Sequence, residues 1–332
     1  MKKKIVDVGR KNPEIFMDSG AFSAKTKRAE IDIDKYIKFI KDYRPYIDIY
    51  ANLDVIGDAK ATLENQKKME AAGLSPIPCF HYGENWEWLE YYLDSYDYVA
   101  IGGVAMLRNK SVLTDWLDRC FKIICDTPNN YPRAKIHGFG VTSIGVMCRY
   151  PWYSLDSTSW VLMSRFGSIL VPRYSQGRYV YDETAWRVNV STRSPSTKEA
   201  GKHFGTFPLM EQHLIKEYVN SRGFEIGRSE YHIVNDKKAY ELKKGERWLI
   251  NQVKHELKYI ESELSDSLGF SEDLSKYENV VERVVDPGLC NDYKQRDEVN
   301  VIFYMDLEKS RPTWPYAFQS HSISTLGFRK IN

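Results

Sequence analysis

Apolar positions along the first half of the chain fall into short runs that alternate with segments of helical periodicity. Residues 14–17 form a short apolar run that stops at Asp18. Residues 32–43 (DIDKYIKFIKDY) repeat their apolar positions at helical spacing behind an aspartate cap. Residues 47–53 read as a strand ending at Asp54, and residues 58–72 as a helix stopped by Gly73. The same rhythm predicts strands at 77–80, 98–101, 134–136 and 152–155, with helices at 85–96, 111–125 and 144–148. Six strand-helix units with short connections imply parallel strands and crossover helices, hence an α/β barrel or a doubly wound sheet.

Beyond Ser164 the rhythm breaks. Residues 168–190 predict two or three strands with Gly and Pro turns, and residues 192–205 a polar loop. Helices are predicted at 210–220 and 246–264, and a late strand at 300–307 (NVIFYMDL). The domain reading is a barrel body over 1–165, an insertion over 166–245, and a helix, strand and tail over 246–332 that complete the barrel.

At 332 residues, 42% apolar and 28% charged, the chain has the balance of a globular protein with a substantial core. Net charge is +2, but residues 161–260 carry 17 Lys and Arg against 11 Asp and Glu, which leaves the remainder near −4. That asymmetry fits a basic arm beside an acidic body, or a mixed solvated surface. The five cysteines are odd in number and lack a Cys-x-x-Cys pair, so buried, reduced thiols are expected. The MKKKIVDVGR start has no apolar core and no long apolar run follows, so a cytoplasmic protein without membrane contact is expected.

The candidate chemistry lies at the strand ends. IFMDSG, IYANLD and YSLDST place Asp18, Asp54 and Asp156 directly after predicted strands. In parallel α/β folds the C-terminal strand ends are where groups from different strands converge. Three carboxylates there suit glycosidic chemistry: one attacks the anomeric carbon, one moves protons, one fixes the leaving base. Each aspartate also has a plain reading as a turn or helix cap. Gly102-Gly103 and HGFGVTS follow strands and let a flat ligand approach the backbone. Neither is a phosphate cradle, so no nucleotide cofactor is implied. His81, at a strand end, faces a pocket or serves the core. The seven histidines form no metal-binding spacing, and no metal is expected.

MDSGAFS, ANLD, IGGVA, HGFGV and SLDST, in that order over roughly residues 12–175, resemble the signature segments of the guanine transglycosylase superfamily. That superfamily includes the tRNA-guanine transglycosylases and the DNA 7-deazaguanine transglycosylases of phages and genomic islands. The resemblance implies a TIM-like (β/α)8 barrel and exchange of guanine for a 7-deazaguanine through a covalent aspartyl-glycosyl intermediate. Asp156 would be the nucleophile and Asp18 the general acid/base. Asp54, His81, Gly102, Gly103, Ser19 and Phe22 would form the base pocket. His81 stands near a position where the tRNA enzymes use glutamine, and Ala21 replaces the family's second glycine. The tRNA enzymes' Cys-x-Cys-x-x-Cys…His zinc site has no counterpart, because Cys290 is the only cysteine in roughly the last 180 residues. Without that subdomain and its homodimer surface, the resemblance leans to a monomeric, DNA-acting branch. A zinc-less tRNA enzyme, a nucleic-acid N-glycosidase and a binding barrel with a dead pocket are the alternatives. Arg165, Arg173, Arg178 and Arg187, interleaved with Tyr174, Tyr179, Tyr181 and Trp186, are candidate nucleic-acid contacts or ordinary hairpin pairs.

Overall fold

The computed structural model describes residues 14–27, 29–104, 107, 109–181, 185–191, 200–248 and 280–319. The chain divides into two compact units, one formed by residues 1–157 with 312–332 and the other by residues 158–311. The boundary therefore falls between Ser157 and Thr158, before the insertion expected from residue 166, and the chain re-enters the first unit after Arg311.

The first unit is mixed α/β around parallel strands. β1 (Phe16–Met17) pairs with β2 (Ile49–Tyr50), and the parallel bridge Ala51–Ile77 carries β2 to β3. β3 (Cys79–His81), β4 (Tyr98–Gly102), β5 (Lys135–Gly138) and β6 (Ser154–Leu155) continue in sequence order, all parallel. The sheet curls. The Phe16 ring on β1 stacks on the His137 ring on β5 at 4.4 Å. Strands lie about 4.8 Å apart, so a flat sheet would separate β1 from β5 by about 19 Å.

The helices form where caps and apolar spacing agree. α1 (Ala21–Lys27) follows the MDSG turn. Asp32 caps α2 (Ile33–Tyr43) by accepting from Asp34 N and Lys35 N, and Tyr36, Ile37 and Ile40 face inward. Asp58 caps α3 (Ala59–Ala71), which ends where Gly73 takes φ +79°. α4 (Trp86–Ser95) starts at the Asn85 cap and α5 (Lys110–Ile124) at the Asn109 cap. α5 buries Trp116, Leu117, Cys120, Phe121 and Ile124 on one stripe. α6 (Ile144–Arg149) completes the series.

In the second unit, α7 (Ser159–Arg165) precedes β7 (Ser168–Val171). β8 (Arg173–Ser175) and β9 (Arg178–Val180) form a hairpin across Gln176-Gly177, both at positive φ as a type I′ turn requires. β10 (Trp186–Asn189) returns antiparallel to β7. α8 (Leu209–Ser221) then leads to an antiparallel sheet in which β13 (Val280–Asp286) lies between β11 (Arg228–Ile233) and β12 (Glu246–Trp248). α9 (Tyr293–Ser310) closes the unit.

Two expectations fail here. The strand expected at 300–307 is the second half of α9: Arg296, Asn300, Phe303 and Leu307 are buried at helical spacing, and Asp292 caps the start by accepting from Lys294 N at 2.8 Å. Residues 246–248, expected to open a helix, are strand β12, paired to β13 through Glu246–Arg283 and Trp248–Val281. The rest of that expected helix lies outside the described residues. No helix among the described residues is long and apolar enough to cross a membrane.

Candidate functional site

The turn after β1 is built by its own side chains. Gly20, at φ +77°, donates its N–H to Asp18 Oδ1 at 3.3 Å, and Ala21 N donates to Ser19 Oγ at 3.2 Å. Ser19 is buried, and its hydroxyl donates across to Asp54 Oδ1 at 3.0 Å. Asp18 keeps an open face to solvent.

Asp54 does not cap the next helix; Asp58 does, by accepting from Ala61 N. The backbone on either side of Asp54 is fixed from α3: Asn65 Nδ2 donates to Leu53 O at 2.8 Å, and Val55 N to Thr62 Oγ1 at 2.9 Å. These bonds aim the carboxylate at β3. There Oδ2 meets His81 Nε2 at 2.8 Å. His81 Nδ1 faces Glu84 Oε1 at 3.1 Å, while Glu84 Oε2 accepts the His81 backbone N–H at 3.0 Å. Cys79 lies two residues back on the same strand face, with Sγ 3.4 Å from His81 Nε2. Gly102 on β4 makes room for this group, since a Cβ there would stand 2.8 Å from His81 Cδ2 and 2.9 Å from Cys79 Sγ. Gly103, at φ +78°, brings its backbone close to Tyr82 N.

Asp156 follows β6 with about half its side-chain surface exposed. Its Oδ1 accepts the Gly140 N–H at 2.7 Å, so the HGFGV loop supplies the bond that orients it. His137 Nε2 stands 3.6 Å from the same oxygen, too far for a hydrogen bond, and is a buried polar atom without a hydrogen-bond partner. The other face of His137 is fixed by Nδ1 to Ser154 Oγ at 2.7 Å, and Ser154 Oγ also meets the Tyr98 hydroxyl. An open pocket lined by Val104, Leu113, Gly140, Val141 and Ser143 adjoins the Gly140 donor.

Charge ties these pieces together. Partial desolvation holds the Asp18 carboxyl above its ordinary value against the Gly20 bond, and the fields of Asp156 and Asp54 push it further up. Burial raises the Cys79 thiol to about 11. For His81, burial opposes protonation, but contacts with Cys79, Asp54 and Glu84 outweigh it and hold the ring above the ordinary imidazole range. The two carboxylates are the cause we credit, because a thiol at about 11 carries little charge near neutrality.

Of the residues expected from sequence, Asp18, Ser19, Asp54, His81, Gly102, Gly103 and Asp156 all lie at the C-terminal ends of the parallel strands. Phe22 is nearly half exposed on α1. The four arginines belong to the second unit. Arg165 sits over the Tyr293 ring at 5.5 Å and Arg173 over Trp186 at 4.6 Å. Arg187 Nε meets Ser168 Oγ at 3.4 Å, and Arg178 is exposed beside the hairpin turn. Sequence reasoning passed over Cys79, Glu84 and Ser154. The first two had a signal in the Cys-x-His-x-x-Glu spacing from β3 into its turn. Asp54, Cys79 and His81 are also the described residues whose donor atoms could hold a metal ion. Comparison with models of protein families, with curated proteins and with solved structures finds no match to this chain.

Proposed function

We propose that the chain is a base-exchange transglycosylase that replaces guanine in DNA with a 7-deazaguanine, on a TIM-like (β/α)8 barrel to which β1 to β6 contribute the first six strands. The sequential parallel order and the curl that brings Phe16 to His137 support the barrel. The observation that carries the chemistry is the convergence of three carboxylates: Ser19, next to Asp18, donates to Asp54 at 3.0 Å, and Phe16, two residues before Asp18, stacks on His137, whose Nε2 stands 3.6 Å from Asp156.

In this reading the part-exposed Asp156 attacks C1′ of the target nucleoside. The C1′–N9 bond breaks as a C1′–O bond to the carboxylate forms. Asp18, whose raised pKa suits a group that must both give and take a proton, protonates the departing guanine. It then takes a proton from the incoming 7-deazaguanine, whose nitrogen attacks C1′ and releases the carboxylate. Two displacements retain configuration. Asp54 and His81, with backbone groups at Gly102 and Gly103, would read the polar edges of the base, and a target in duplex must first be extruded at a cost of a few kcal/mol. Arg165, Arg173, Arg178 and Arg187 are offered as DNA contacts.

The test is nucleoside mass spectrometry after incubation with 7-cyano-7-deazaguanine and either duplex DNA or bulk tRNA. Incorporation into DNA that vanishes in Asp156→Ala is the expected result. Incorporation into tRNA alone overturns the substrate, and abasic sites without incorporation make the protein an N-glycosidase.

A further inference from the structure

The floor of the site holds a donor set that the base-reading role of Asp54 and His81 does not explain. Cys79 Sγ, His81 Nε2 and an Asp54 carboxylate oxygen all lie within 4.8 Å of one another. Cys79 is 1% exposed and His81 2% exposed. In a tetrahedral zinc site, with Zn–S near 2.3 Å and Zn–N or Zn–O near 2.0–2.1 Å, neighbouring ligand atoms stand about 3.5 Å apart for S and N and about 3.3 Å for N and O. The observed S–N separation is 3.4 Å and the N–O separation 2.8 Å. The first already has ligand spacing, and the second needs to open by about half an ångström.

The second shell points the same way. Glu84 grips His81 twice, at the backbone N–H and at Nδ1. A carboxylate on the far nitrogen is the arrangement that fixes the tautomer of a metal-binding imidazole and leaves Nε2 to the ion. Nε2 in turn faces two donor atoms, the Asp54 carboxylate and the Cys79 sulfur, the latter a neutral thiol that becomes an anion only when a cation displaces its proton. A single N–H can serve only one of them well, whereas one cation serves both. The lack of a side chain at Gly102, whose Cβ would lie 2.9 Å from Sγ and 3.1 Å from Nε2, keeps β4 clear of the donors.

We infer that Asp54, Cys79 and His81 form a mononuclear site for a thiophilic divalent cation of the zinc class, with Glu84 as a positioning residue and the fourth coordination position open to water or a ligand heteroatom. Loading releases the Cys79 thiol proton and any proton on Nε2 to solvent. Asp54 Oδ2 then serves the cation while Oδ1 keeps the Ser19 hydroxyl. The inference does not rest on the transglycosylase reading, since metal binding is measured without turnover; in the loaded site the cation's fourth position, rather than Asp54 Oδ2 and His81 Nε2, would meet a polar edge of the base.

The experiment is a cobalt titration of the full chain after chelator treatment. One equivalent of Co2+ should give a thiolate-to-cobalt charge-transfer band in the near ultraviolet, together with the visible bands of a tetrahedral ion, and Zn2+ should bleach both. Cys79→Ser should abolish the charge-transfer band. Glu84→Gln should keep it with affinity about 10–100-fold weaker. Zinc-edge absorption on the wild-type chain needs no variant: one sulfur at about 2.3 Å with nitrogen and oxygen at about 2.0–2.1 Å is expected. A wild-type chain without the cobalt band, a band that survives Cys79→Ser, or a zinc shell with no sulfur or several would each overturn the proposal.

Discussion

Gly102→Ala puts the packing of the site to a quantitative test, because two effects of opposite sign compete there. Gly102 does not have a positive φ, so alanine fits its backbone. On that ground alone the substitution would stabilise the fold by about 0.4–1 kcal/mol, by restricting the unfolded chain. The new Cβ would however stand 2.8 Å from His81 Cδ2 and 2.9 Å from Cys79 Sγ, closer than real Cβ contacts come. Neither neighbour can retreat easily: Cys79 and His81 are almost fully buried, and Glu84 holds His81 at two points. Overpacking of this kind costs about 1–3 kcal/mol. The balance is a net destabilisation of up to about 2.6 kcal/mol, centred on about 1.3 kcal/mol, or roughly 3–5 °C in the unfolding of a unit this size. Gly205 supplies the internal control. It too lacks a positive φ, and the nearest atom to its Cβ would be His203 Nδ1 at 3.6 Å, an ordinary contact. Gly205→Ala should therefore be neutral or slightly stabilising. The assay is denaturant unfolding followed by both circular dichroism and tryptophan fluorescence. If Gly102→Ala proves as stable as wild type, or moves in the same direction as Gly205→Ala, the close packing of β4 against Cys79 and His81 is refuted.

Further tests address the carboxylates and the second unit. The Asp18 carboxyl is held above its ordinary value by desolvation and by the neighbouring carboxylates, so its contribution to stability is fully present below the unfolded value and is lost as pH rises through the folded one. Asp18→Asn should thus gain stability over wild type near neutrality and show no gain at about pH 3; unfolding curves that stay parallel across that range would contradict it. Asp156→Asn removes one of the charges that raise Asp18, and the Asp18 carboxyl carbon should titrate at lower pH by NMR; an unchanged or higher midpoint would show that the two do not share a site. Asn300→Leu leaves the Leu170 N–H and the Trp160 and Ser168 carbonyls without the amide that now serves them. With Trp160 O still inside helix α7, two groups are stranded at about 1–3 kcal/mol each, so a loss of at least about 2 kcal/mol is expected, and a change under about 1 kcal/mol would deny Asn300 that role.

The parts of the fold that were legible in the sequence are those where local signals coincide. Asp32, Asp58, Asn85 and Asn109 each precede a run at helical spacing, and each caps the helix that follows. The placement of Asp18, Asp54 and Asp156 after strands was legible for the same reason, because an apolar run that stops at an acid marks both the strand and its end. What escaped depended either on a cap outside the apolar run or on partners distant in sequence. Residues 300–307 by themselves have the apolar run of a strand, and the signal against it lies outside that run, in Asp292, whose capping bond defines the start of α9. Once that start is included, burial at Arg296, Asn300, Phe303 and Leu307 has a helical period. The Asp54, Cys79 and His81 group could not be read from spacing, because Asp54 joins the other two only through the parallel bridge between Ala51 and Ile77. The Ser154 link to His137 needs the pairing of β5 with β6 in the same way.

The return of the chain to the first unit after Arg311 bears on the order of events during synthesis. Trp314 Nε1 donates to Pro151 O, the Tyr316 hydroxyl to Tyr150 O, and Phe318 N to Asn130 O. Phe318, itself buried, lies against Phe121 and Tyr150 in the aromatic cluster behind α5. A ribosome has therefore delivered every strand of the parallel sheet, and the whole second unit, before the residues that finish this cluster emerge. The body translated first is the body completed last. A nascent chain halted at Arg311 would carry every residue of the second unit but a first unit whose aromatic cluster still lacks Phe318, and a peptide spanning residues 312–319 supplied in trans should be able to fill the gap.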